Sequence, residues 1–191
     1  VQKEKSWVNT DIRGYELKGR TLGIVGYGRL GRKVARYGQA FGMRVLACDR
    51  DPGVFRGDTG VEAVPFDALL HQSDVISLHV KLNESSRDMI DAAAIGKMKP
   101  GVCLVNTSRG DIVDSDAVLR AVNEGRIGSV GLDVCRREYQ STRLPDDPLV
   151  AASFKDNRII VTPHAGGSTH DAHRVVFEHV AGLIERHLRQ K

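Results

Sequence analysis

Gly26-Tyr27-Gly28-Arg29-Leu30-Gly31 has the Gly-x-Gly-x-x-Gly spacing with which a backbone can approach a pyrophosphate. Gly26 permits a tight turn and Gly28 leaves the backbone bare toward a ligand. Gly31 lets the helix that follows pack close to the preceding strand. The first residues of that helix, Arg29 and Leu30 onward, offer unpaired N–H groups and a positive dipole end to phosphates. Asp49 stands 18 residues beyond Gly31. A carboxylate about 20 residues on accepts hydrogen bonds from a ribose and repels a 2′-phosphate, which favours NAD over NADP. Arg50, beside it, offsets part of that repulsion.

Such residues need a strand before them and a helix after. Thr21-Leu22-Gly23-Ile24-Val25 is an apolar run suited to a buried strand, and residues 30–41 carry Leu30, Val34, Tyr37 and Phe41 at helical spacing. A second strand, Arg44–Cys48, ends in Asp49. Residues 61–64 then read as a short strand, 66–71 as a short helix and 75–80 as a third strong strand. A loop over 84–88 precedes a helix over 91–98 that Lys99-Pro100-Gly101 stops. Val102–Asn106 is another buried strand. Ser115 is placed to cap a helix over 116–123, with Gly125 just past its end. A strand over 129–133, a polar loop over 136–147, a helical turn at Pro148–Ser153 and a last strand over 158–161 follow. Residues 169–191 form a long amphipathic helix with Val176, Val180, Leu183, Ile184 and Leu188 on one face.

This alternation predicts an α/β fold: a Rossmann-type, doubly wound parallel sheet in three αβα layers. Residues 1–191 are read as one dinucleotide-binding domain with an N-terminal arm over about 1–19. Its largest apolar residue, Trp7, either folds back or docks on a partner subunit.

The chain's 191 residues can bury a real core. Its 28 basic and 24 acidic residues are interspersed, and no basic block marks a nucleic-acid surface. The apolar runs are too short to span a membrane, and residues 1–7 lack the apolar stretch of a leader. Cys48, Cys103 and Cys135 form no Cys-x-x-Cys and read as free thiols of a reducing cytoplasm. The first residue is Val1 rather than Met, a hint of a piece of something longer.

In sheets of this kind ligands bind beyond the carboxyl ends of the strands. His79-Val80-Lys81 follows the third strong strand, Thr107-Ser108-Arg109-Gly110 the next, Asp133 and then Glu138 the one after, and Pro163-His164-Ala165-Gly166-Gly167 the last. An arginine, a carboxylate and a histidine thus converge on the cofactor edge. Asn106-Thr107-Ser108-Arg109-Gly110, Gly131-Leu132-Asp133-Val134 with Glu138, and Thr162-Pro163-His164-Ala165-Gly166-Gly167 resemble the three signatures of the D-isomer-specific 2-hydroxyacid dehydrogenases. With the glycine run, the match extends over roughly residues 13–188, and the resemblance includes the 3-phosphoglycerate dehydrogenases as one subgroup.

The resemblance implies an NAD-dependent oxidoreductase that moves a hydride between the cofactor and a small D-2-hydroxy or 2-oxo acid. It implies that Arg109 binds the substrate carboxylate and carbonyl oxygen, that His164 is the acid–base and that Glu138 orients it. The residue types suit this: oxidising a C2 hydroxyl needs a base for its proton while hydride leaves, and an arginine fork suits a carboxylate. The resemblance also assigns Asp133 and the Thr107 backbone to the nicotinamide amide, and Val80 and Lys81 to the adenosine side. Ser108, Arg109, His164 and Gly166 complete the cofactor-side set. A homodimer is implied and a metal is not. The family's separate substrate-binding domain is not found in this chain, so the piece alone is expected to be weakly active or inactive. An alternative is an NAD(H)-sensing interaction protein like the C-terminal-binding-protein corepressors, which share these three residues.

Four features depart from the family pattern or stand outside it. Tyr139 follows Glu138 where a proline is usual, and Lys81 replaces a common proline. Arg136 and Arg137 stand where acids are frequent. They are either solvated loop charges or a source of positive potential favouring an anionic, even phosphorylated, substrate. His170, His173 and His179 have a spacing that can bind metal but read as a solvated helix face.

Overall fold

The computed structural model describes residues 14–138 and 146–189. Seven parallel strands form one sheet: β1 (Thr21–Val25), β2 (Arg44–Cys48), β3 (Glu62–Ala63), β4 (Val75–Leu78), β5 (Val102–Asn106), β6 (Ile127–Leu132) and β7 (Ile159–Val161). Their spatial order is β3-β2-β1-β4-β5-β6-β7. The order reverses between β1 and β4, and a crevice opens there beyond the strand ends.

Alternate residues of β1 serve two cores. Leu22 and Ile24 pack with Ala35, Met43, Val45 and Ala47 under helix α1 (Arg29–Ala40). Val25 faces the larger core on the other side, with Leu69 and Leu70 of α2 (Phe66–Gln72) and Ile95 of α3 (Ala92–Lys97). Val118 of α4 (Ser115–Asn123) and Leu149 of α5 (Pro148–Ser153) join it. Each fully buried aliphatic side chain contributes about 1.5–3 kcal/mol. Among the described residues, the α1 side is covered over β1 and β2 alone; Cys103, Val105 and Ser129 are half-exposed and Ile160 is exposed.

The expected Rossmann-type sheet is present, with local differences. Of the expected apolar stripe, Val34 packs half-buried against the core, but Leu30, Tyr37 and Phe41, the last just past the helix end, are more than half exposed, and Gly31, Ala35 and Gly38 are buried instead. A Cβ on Gly31 would lie 2.2 Å from the Gly26 carbonyl oxygen, and one on Gly38 2.6 Å from Leu22. Only small residues fit where this helix crosses the strands. Asp114, not Ser115, caps α4, its carboxylate accepting from Ala117 N at 3.0 Å. Ser115 is drawn elsewhere, to Asp147 at 2.9 Å. The last helix, α6 (His170–Arg189), buries no residue, so its apolar face is exposed. Trp7 and Tyr139 lie outside the described residues.

Candidate active site

The glycine turn leaves β1 with Gly26 at φ +95°, where a Cβ would meet the His79 backbone at 2.8 Å. Nothing lies within 4 Å of a Cβ built on Gly28. No side chain caps α1, which begins at Arg29, so its first amides face the crevice. Tyr27 turns inward, stacked on Phe55 at 5.0 Å. The Tyr27 amide donates to Asp49 Oδ2 at 2.8 Å and the Asp51 amide to Oδ1 at 3.0 Å. Two backbone amides thereby hold the carboxylate at the end of β2.

Beside this turn is a cleft of about 500 Å³. It gathers Gly26, Gly28, Asp49, Arg50, Val80 and Lys81 from the residues expected at the cofactor. Sequence reasoning missed other residues that line it: the half-buried Phe66 and Met89, the buried Ser86, and Asn83 and Ser85 on the exposed rim. Arg50 reaches across that rim to Ser85 Oγ at 2.9 Å. His79 also lines the cleft, with Nε2 2.9 Å from Ser77 Oγ and Nδ1 buried without a hydrogen-bond partner among the described residues. Burial pushes its pKa down to about 4, so the ring is neutral at physiological pH. The bare glycine turn, the uncapped helix end, the acid and the apolar floor fit the pyrophosphate, ribose and adenine of a dinucleotide.

The remaining site residues lie beyond β5, β6 and β7, outside this cleft. After β5, Asn106 shapes the turn: its side chain accepts from Ser108 N and donates to the Arg109 carbonyl, both at 2.9 Å. Ser108 is turned inward, its hydroxyl donating to the Leu78 carbonyl at 2.5 Å. Thr107 and Arg109 are exposed, and an Arg109 guanidinium nitrogen donates to the Ser108 carbonyl at 2.6 Å. Gly110 sits against the next loop so closely that a Cβ would be 2.1 Å from the Cys135 carbonyl carbon.

After β6, the buried Asp133 carboxylate gathers the loop that follows β7. It accepts from Thr162 Oγ1 at 2.5 Å and from the amides of Ala165 and Gly166, each at 2.9 Å. Burial alone would raise the Asp133 pKa; these hydrogen bonds outweigh it and hold the carboxyl below its ordinary value. A Cβ on Gly166 would lie 2.8 Å from Asp133 Oδ2, which accounts for a glycine there. Between Thr162 and Ala165, His164 is held at φ +51°, a conformation that costs a non-glycine residue energy and recurs at functional sites. The bend brings its Nδ1 to 2.8 Å from Glu138 Oε1. The other oxygen of Glu138 accepts from Cys135 N at 3.2 Å. A carboxylate acceptor fixes the proton on Nδ1 and leaves Nε2 as the ring nitrogen that can exchange one.

Arg136 is not a solvated loop charge: it is half-buried, and its Nε donates to the Val113 carbonyl at 2.9 Å. Arg137 is exposed, as are His170, His173 and His179 along α6.

The family model described as "D-isomer specific 2-hydroxyacid dehydrogenase, NAD binding domain" matches residues 1–166. The chain is 41% identical to a hydroxypyruvate reductase of Thermotoga maritima, over 91% of this chain and 55% of that protein. It is 42% identical to a glyoxylate reductase of Korarchaeum cryptofilum, over 92% and 51%. The D-lactate dehydrogenase of Aquifex aeolicus, solved with NAD and lactic acid, superposes with a TM-score of 0.85 at 34% identity, over 99% of this chain and 59% of that one. The chain spans about half the length of these relatives.

Proposed function

Since the chain belongs to the D-isomer-specific 2-hydroxyacid dehydrogenases as their NAD-binding domain, we propose that its protein interconverts a D-2-hydroxy acid and the 2-oxo acid. The observation that carries this reading is the His164 Nδ1–Glu138 Oε1 contact of 2.8 Å, beyond β7 and on the sheet edge that bears the glycine turn. NAD, when bound, supplies the hydride acceptor or donor. Gly26, Gly28, Arg29 and Leu30 receive its phosphates, Gly31 sets the helix close beneath them, and Asp49 receives its ribose. Arg50, Val80 and Lys81 flank the adenosine. Thr107, Ser108, Asp133 and Gly166 shape the nicotinamide end. Arg109 pairs with the substrate carboxylate. His164 Nε2 takes the C2 hydroxyl proton in oxidation and returns it in reduction, while Glu138 keeps the ring oriented and stabilises the imidazolium.

The substrate's other side is read as held by a second domain, and three free thiols support a cytoplasmic setting. The exposed Leu30 and Tyr37 of α1, with Phe41 just past its end, support a homodimer. The reading is tested by NADH fluorescence titration and by turnover of a panel of small 2-oxo acids by the whole protein. His164→Ala should abolish turnover while NADH still binds. Undiminished turnover in that variant refutes the assignment.

A further inference from the structure

The loops beyond β4, β5 and β6 carry the cleft rim, Arg109 and Glu138, and one side chain reaches across them. Arg136 lies on the β6 loop, two residues before Glu138. Its Nε donates to the Val113 carbonyl at 2.9 Å, just past the Arg109 turn. Its Nη2 pairs with Asp88, at the end of the rim loop 83–88. Its own amide donates to Asp147 Oδ2 at 3.1 Å. Asp147 is buried and also accepts from Ser115 Oγ and Leu149 N, each at 2.9 Å, so the anchor joins the starts of α4 and α5.

These partners are themselves tied together. The Asp88 amide donates to the Asp111 carbonyl at 2.9 Å, and Ile90 pairs with Val113 as a parallel bridge. The backbone at Cys135 and Arg136 also presses on Gly110. The turn bearing Glu138 is therefore held both by these side-chain bonds and by the backbone contact with Gly110. Among the described residues, its own grip on the Glu138 carboxylate is one 3.2 Å bond from Cys135 N.

We propose that Arg136 is a positioning residue: it sets the Glu138 turn so that the carboxylate meets His164, and it joins that turn to the Arg109 turn and the cleft rim. This rests on reading Glu138 and His164 as the acid–base pair. A guanidinium spans a carbonyl and a carboxylate with one rigid fork; an ammonium is a point charge and cannot do both in this geometry. The second of the two adjacent arginines, Arg137, is exposed and takes no such part.

The test reads the His164 tautomer in this chain from the ring ¹⁵N shifts, through the carbon-bound ring protons. The wild type should show one tautomer, protonated on Nδ1. Glu138→Gln and Arg136→Met should both give a mixture of the two neutral tautomers, and Arg136→Lys a smaller change in the same direction. Arg137→Met should match the wild type. NADH affinity should stay within about twofold in every variant, and turnover by the whole protein should fall on the order of 10–100-fold in Arg136→Met, the cost of a misplacement near 1 Å. If Glu138→Gln shifts the tautomer and the folded Arg136 variants do not, the role of Arg136 is overturned while the pair stands. If Arg136→Met does not fold, Arg136→Lys decides on the same criterion. If Glu138→Gln itself leaves the tautomer unchanged, the reading of the pair fails and this inference with it.

Discussion

His79→Gln should flatten the acid side of the stability profile. In the folded chain the ring takes its proton only at about pH 4, because burial opposes the charge and Nδ1 has no described partner. In the unfolded chain it takes the proton near 6.5. The unfolded state therefore binds the extra proton first, and the stability present above pH 6.5 is lost as pH falls toward 4. At about 1.4 kcal/mol per unit, the loss between pH 7 and pH 5 is about 2 kcal/mol, rising to about 3 near pH 4. For a chain of this size 2 kcal/mol is on the order of 4–8 °C in Tm. Urea unfolding of wild type and His79→Gln at half-unit steps from pH 7 to 4.5 isolates the effect, since every other group titrates in both proteins. The gap between the two curves should change by about 2 kcal/mol over that range, against the wild type. Parallel curves would mean that folded His79 accepts its proton near the ordinary value and that burial does not oppose its charge.

Asp49→Ala should narrow the preference for NADH over NADPH by about tenfold, from a lost ribose acceptor and a lost repulsion; an unchanged ratio of the two dissociation constants would exclude Asp49 as the ribose ligand. Gly110→Ala forces a Cβ onto the Cys135 backbone and should cost about 1–3 kcal/mol in denaturant unfolding; wild-type stability would show that the two loops separate freely. The Cys48 thiol, which burial pushes up to about 11, should alkylate about 100-fold more slowly at pH 8 than a thiol of ordinary pKa; mass spectrometry of the Cys48 peptide after iodoacetamide would detect a rate that contradicts this.

What was legible in the sequence was whatever depends on local pattern. The glycine run, the acid after β2 and the apolar strands are set by spacing and period, and they lie where that spacing puts them. The direction of the α1 stripe was not legible: periodicity reports a face, and here close helix–sheet approach gives that face to Gly31, Ala35 and Gly38. The cap of α4 was misread by one residue because Asp114 and Ser115 are both good caps; a distant carboxylate, Asp147, claims the serine. Arg136 and His79 were illegible too. The guanidinium of Arg136 meets partners on other loops, and the low proton affinity of His79 comes from burial rather than from any residue beside it in the chain.

The contact between Gly110 and the Cys135–Arg136 backbone bears on how this domain can be altered. With no room even for a methyl group between them, the turn presenting Arg109 and the turn presenting Glu138 have matched shapes, like two halves of a hinge cut from one blank. A laboratory chimera that imports one turn from a relative brings a surface fitted to a different neighbour. Exchanging residues 106–113 together with 133–138 keeps the seam intact, and the pair of turns, rather than either alone, is the natural unit for grafting.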